Sequence, residues 1–268
     1  MKGRSRRDMT PPQRSKGRNA QAGQTSGPPP RLLSDALQQH LRMAMEHHQH
    51  GRLAEAESAY RSVLASAPRH ADALNLTGVL CLQTGRTDEA EKLLAAAIRE
   101  NAAVAAYHDN LGSALAALGR VGEAAAAHWR AVKLKPDFAA AYFNLANALS
   151  AAGRVEAEAA FRAALVLKPD YLKAWFNLGN AFDQRRAYRD AAKAFSRAVA
   201  LDPAMPDART NLSDALSAIG DLGGALVHQR AAVALKPDDA NARYILGVVL
   251  QQSAKFEQAV LAYRDSLR

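Results

Sequence analysis

Ala56, Ala90, Ala124, Ala157, Ala191, Ala225 and Ala259 stand 34, 34, 33, 34, 34 and 34 residues apart. A fixed period of this length marks one supersecondary unit copied in tandem. Copies of such a unit stack on their neighbours and present an extended surface rather than a closed pocket. The period therefore fixes the architecture before any side-chain chemistry is considered, and it argues against an enzyme.

With the alanine at position 20, units start at Leu37, Ala71, Ala105, Ala139, Leu172, Pro206 and Ala240. Position 8 is always small: Ala44, Gly78, Gly112, Ala146, Gly179, Ser213, Gly247. Positions 4, 7, 8 and 11 form an i, i+3, i+4, i+7 stripe, one face of an α-helix. Positions 20, 24 and 27 form a second stripe. Between the stripes stands Gly51, Gly85, Gly119, Gly153 or Gly220, suited to a helix C-terminus that passes through left-handed backbone. Proline closes five units, at Pro68, Pro136, Pro169, Pro203 and Pro237, where it cannot continue a helix. Each unit is thus helix A, turn, helix B, turn. A larger residue at the small positions would overpack the helix pair, at roughly 1–3 kcal/mol.

Three departures stand out. The fourth unit lacks one residue between Gly153 and Ala157, which predicts a tighter A–B turn. Arg186 and Ala254 replace the turn glycine, at a cost on the order of 1 kcal/mol each if the left-handed conformation is kept. Ala102 replaces a closing proline.

The pattern resembles the tetratricopeptide repeat. The unit that carries it best reads Trp175, Phe176, Asn177, Leu178, Gly179, Asn180, Ala181, Phe182, then Ala191, Phe195, Ala198 and Pro203. The resemblance spans residues 37–268 and implies an all-α superhelix of seven helix-turn-helix repeats, the last one truncated. The expected organisation is a disordered basic leader over 1–30 and a repeat array over 31–268.

Charge supports that division. The chain carries a formal +9, and residues 1–30 hold seven cations against Asp8 alone, leaving the array close to neutral. The leader is rich in Gly, Pro, Ser and Gln and too poor in apolar residues to bury a core. Its cations fit weak contact with an anionic surface. With no aromatic residue among the arginines, specific single-strand nucleic-acid binding is not expected. No apolar run approaches the roughly 20 residues that span a bilayer, and no secretory h-region is visible. Cys81 is the sole cysteine and reads as a small core residue. A cytoplasmic location follows by default.

On a helical wheel, positions 2, 6, 9 and 13 lie opposite the buried stripe of helix A. In tetratricopeptide arrays that face lines the concave side, so the resemblance makes it the groove. Position 6 reads Arg42, Leu76, Asn110, Asn144, Asn177, Asn211, Ile245, and position 9 adds Asn147 and Asn180. Six of the chain's ten asparagines fall on this face, although asparagine is a poor helix former. A carboxamide offers both donors and an acceptor, so a row of them can hold an extended peptide by its backbone. The plainer alternative is that neighbouring repeats share residues by duplication and the amides are merely solvated.

The ladder is similar to the superhelical region of O-linked N-acetylglucosamine transferases. There, concave asparagines hold the acceptor's backbone. Two functions follow: a scaffold or adaptor that binds an extended protein segment, or the substrate-recognition array of a transferase whose catalytic domain is not in this chain. A carboxylate clamp for chaperone tails would need lysine at position 5. That position reads Asp109, Phe143, Phe176 and Thr210.

Catalytic and cofactor signatures are missing. No phosphate-cradling glycine loop, zinc spacing or serine elbow occurs, so no cofactor is expected. His40, His47, His48 and His50 form the one ligand-like cluster. Its place at the end of a helix suits cap chemistry better than metal binding. Asp and Glu read as a solvated face, with no acid–base pair.

Overall fold

The computed structural model describes residues 30–267. The leader over 1–29, with the disorder and anionic contacts expected of it, lies outside the described residues. Among those described there are fourteen helices and no strand. The A helices are α1 (Pro30–Gln49), α3 (Ala71–Gln83), α5 (Ala105–Ala117), α7 (Ala139–Ala151), α9 (Leu172–Gln184), α11 (Pro206–Ala218) and α13 (Ala240–Gln252). The B helices are α2 (Leu53–Ser66), α4 (Thr87–Glu100), α6 (Val121–Leu134), α8 (Ala157–Leu167), α10 (Tyr188–Leu201), α12 (Leu222–Leu235) and α14 (Phe256–Ser266).

All seven A–B turns close in one way. The N–H two residues past the helix cap donates to a carbonyl five residues back: Arg86 to Cys81 at 2.8 Å, and Arg52, Arg120, Arg154, Ala187, Asp221 and Lys255 equivalently at 2.9 Å. The residue between must be left-handed, as in a Schellman cap. Arg186 and Ala254 hold it at φ 60° and 56° without being glycine. Arg186→Gly and Ala254→Gly should therefore each raise stability by up to about 1 kcal/mol, read as a rise in Tm. A fall would mean that the native side chain contributes more than its backbone costs.

The missing residue of the fourth unit is absorbed elsewhere than expected. Its turn keeps the standard bond and Gly153 keeps φ 67°. Instead α8 begins at position 20, where the other B helices begin at position 17. The cap geometry is constrained by hydrogen bonds on both sides, whereas a helix's first turn holds four unpaired N–H groups and is the easier part to unwind.

Position 24 of helix B sits on position 8 of helix A. The series reads Tyr60, Leu94, His128, Phe161, Phe195, Gln229 and Tyr263, and all but Tyr263 are buried. A Cβ on Gly179 would stand 2.5 Å from the Phe195 ring, and one on Gly112 2.6 Å from the His128 ring. That close approach is why position 8 is small. Cys81 is buried as expected.

The buried face of helix A is wider than the four-position stripe. Position 3 (Ala73, Tyr107, Ala141, Ala174, Ala208) and position 10 (Leu80, Ala114, Ala148, Ala215, Val249) are buried too. Each A helix packs along the A helix of the next repeat, whereas the backbones of successive B helices stay apart, and α12 reaches α14 through side chains, Arg230 Nη2 donating to Gln258 Oε1 at 3.0 Å. A helices therefore lie inside the curve and B helices splay outside, which puts A-helix positions 6, 9 and 13 on the concave side.

Candidate functional site

The six asparagines take part in four separate inter-repeat contacts. Asn110 Nδ2 donates to Asn75 Oδ1 at 2.8 Å, and Asn144 Nδ2 to both carboxylate oxygens of Asp109 at 3.2 Å. Asn177 Nδ2 donates to Asn147 Oδ1 at 2.8 Å, and Asn211 Nδ2 to Asn180 Oδ1 at 3.0 Å. Every position-6 asparagine is half-buried and tied to the repeat before it. The row therefore latches one repeat to the next, a role that neither the peptide grip nor the solvated alternative includes. Each bond contributes about 1 kcal/mol. The latch leaves one N–H and the carbonyl oxygen of each position-6 amide without a partner among the described residues.

The acceptor switches along the array. In the second and third repeats it is position 5, Asn75 and Asp109. In the fourth and fifth repeats position 5 is aromatic, and position 9 takes over as acceptor with Asn147 and Asn180. Phe143 packs on Phe161 at 6.2 Å and Phe176 on Phe195 at 5.9 Å.

The third repeat replaces that aromatic pair by an acid and a base. His128 Nδ1 lies 2.7 Å from Asp109 Oδ1, with the two residues only 2% and 7% exposed. The expectation of no acid–base pair is thus overturned. The signal in the sequence was that positions 5 and 24 of the third unit are Asp and His where the fourth and fifth units have two rings. A 380 Å³ pocket opens beside them, lined by Ser113, Ala116, Val121, His128, Asn144, Asn147, Ala148 and Ala151. Ser113 Oγ donates to the backbone oxygen of Asp109 at 3.1 Å.

Toward the sixth repeat the groove turns acidic. Asp214 keeps contact with solvent, yet the concave wall crowds it; desolvation, and then the charge of Asp183, push its carboxyl up to about 6. At the other end a smaller pocket of 270 Å³ is lined by Met45, His48, Gln49, Tyr60, Leu76 and Gln83. Burial there pushes the Tyr60 phenol up to about 12.

The histidine cluster is engaged locally. His48 bonds Tyr60 and Gln83, His47 accepts from Arg52, and His50 donates to the Glu46 carbonyl. Among the described residues no group of three or more His, Cys, Asp or Glu is placed to hold a metal ion. No helix among them is long and apolar enough to cross a membrane.

A family model described as tetratricopeptide repeat matches residues 41–106, 84–128, 155–206 and 176–240, and a second, described as TPR repeat, matches 112–153. The matches cover well over half of the chain. No curated protein sequence matches. Among solved structures, YrrB, described as a TPR protein with an unusual peptide-binding site, is 24% identical with a TM-score of 0.60, over 65% of this chain and 90% of that one. MamA from Desulfovibrio magneticus RS-1 is 20% identical with a TM-score of 0.58, over 61% and 93%. PilF of Pseudomonas aeruginosa is 17% identical with a TM-score of 0.68, over 76% and 94%. These likenesses speak to the fold.

Proposed function

The chain belongs to the tetratricopeptide repeat family, and from that membership we propose that it is a protein-interaction scaffold whose concave groove holds an extended segment of a partner. The observation that carries this reading is the row Asn110, Asn144, Asn177 and Asn211, with Asn147 and Asn180 beside it. Fixing one N–H of each amide against the preceding repeat removes the entropy of orienting it. The remaining N–H and oxygen are those an extended backbone pairs with, independent of its sequence. YrrB, a TPR protein with a peptide-binding site of its own, lends the same reading support.

Peptides selected from a random displayed library on the full chain provide the probe. Converting the four position-6 asparagines to alanine should weaken the selected peptides at least tenfold. It should also lower stability, at about 1 kcal/mol per lost latch. Circular dichroism at the assay temperature checks that the variant is folded. Unchanged affinity in a folded variant would refute the ladder. The same row would equally serve the substrate-recognition array of an O-linked N-acetylglucosamine transferase. A transferase activity recovered with this chain, and lost in the four-asparagine variant, would favour that second reading.

A further inference from the structure

The buried Asp109–His128 pair is chemistry that the backbone-gripping row does not need. Both carboxylate oxygens of Asp109 accept from Asn144 Nδ2, and Oδ1 also faces His128 Nδ1. A carboxylate that only accepts fixes the proton on Nδ1 of the imidazole. In the neutral ring the other nitrogen, Nε2, is then the acceptor, and it has no partner among the described residues. His128 is 2% exposed, yet it lines the 380 Å³ pocket on the concave side. Gly112 lies against the ring face, where a Cβ would come within 2.7 Å of Nε2. The ring is thus packed in place, its tautomer is set, and its acceptor borders a cavity the size of a side chain.

We propose that this pocket reads one hydrogen-bond-donating, uncharged side chain of the bound segment, a hydroxyl or a carboxamide, with His128 Nε2 as the acceptor. The inference rests on the groove reading above and adds selectivity to it. The walls favour a neutral donor: Ala116, Val121, Ala148 and Ala151 would leave an ammonium poorly solvated. An apolar side chain there would leave the buried nitrogen unpaired, which is how a site built to hydrogen-bond rejects an analogue lacking the group. Asp109 acts through His128 and is a positioning residue. The nearby hydroxyl of Ser113 donates to the Asp109 carbonyl rather than to the imidazole, so Ser113 and His128 do not form a nucleophile–base pair.

The test uses peptides selected on the full chain. Among them, one position should carry Ser, Thr, Asn or Gln, and changing it to alanine should lower affinity about tenfold. Asp109→Phe, Ser113→Asn and His128→Phe together copy the fourth repeat's own solution of Phe143, Asn147 and Phe161, so that variant should fold. It should bind the donor peptide and its alanine version within twofold of each other. Nitrogen-15 spectra of the imidazoles give a readout independent of the variant: His128 should show a protonated Nδ1 and a bare Nε2, and Nε2 should shift on saturation with the peptide. Retained discrimination in the triple variant, no donor preference in the wild type, or an unmoved Nε2 each overturns the proposal. If the four-asparagine variant keeps full affinity while Nε2 still shifts, the ladder is wrong and the pocket stands.

Discussion

Asp109→Ala should be the most damaging single substitution in the concave half of the array, lowering stability by about 2–4 kcal/mol. The carboxylate is the acceptor for His128 Nδ1 and for Asn144 Nδ2, and it sits 7% exposed between them. Removing it leaves a buried imidazole N–H and a half-buried amide without partners, each carrying its desolvation penalty. It also removes the latch between the third and fourth repeats. Because solenoids are held together mainly by nearest-neighbour interfaces, the loss should appear as separated unfolding of the first three repeats from the rest. Hydrogen exchange across α5, α6 and α7 would report it. A variant as stable as the wild type would show that the pair adds nothing to the interface.

The opposite effect is expected in the sixth repeat. Position 8 there is Ser213 and position 24 is Gln229, both 0% exposed. Gln229 Nε2 donates to the Ala242 carbonyl at 2.8 Å, but Gln229 Oε1 and Ser213 Oγ are buried with no partner. The apolar core is interrupted at this place: one cluster runs from Ala131 to Ala215 and a second from Ala225 to Ala262. Converting the pair together, Ser213→Gly and Gln229→Phe, copies Gly179 and Phe195 of the preceding repeat. It should stabilise the array by about 3 kcal/mol, from two relieved polar atoms and one buried ring. Urea unfolding should lose its earliest phase, and exchange in α12 to α14 should slow. A fall in Tm instead would mean that solvent bridges the polar pair and that the bridge holds the repeat better than a ring would.

The large features were legible in the sequence because they depend on spacing within one unit. The small residue at position 8 announced a close approach of the two helices, and the glycine at position 15 announced the left-handed cap. Arg186 and Ala254 take that conformation as expected from their register. What spacing could not supply was the neighbour across the repeat boundary. Whether Asn144 meets position 5 or position 9 of the repeat before it depends on how one unit rotates on the next. That rotation is set by packing across the boundary, such as Phe143 on Tyr171 at the cap of α9, rather than by any period. For the same reason the latch made by the row could not be read from the period. The shortened fourth unit was visible as a missing residue, but only the hydrogen-bonded turn shows that helix α8 had to yield.

The central claim is that a partner segment lies along the inside of the curve. A photo-reactive residue introduced at Ala117 or Ala151, both exposed at position 13 of an A helix, tests it against one at Ala126, exposed on helix α6. Selected peptides should cross-link from Ala117 and Ala151 and not from Ala126. Cross-links confined to Ala126 would place the partner on the outer surface and contradict the groove.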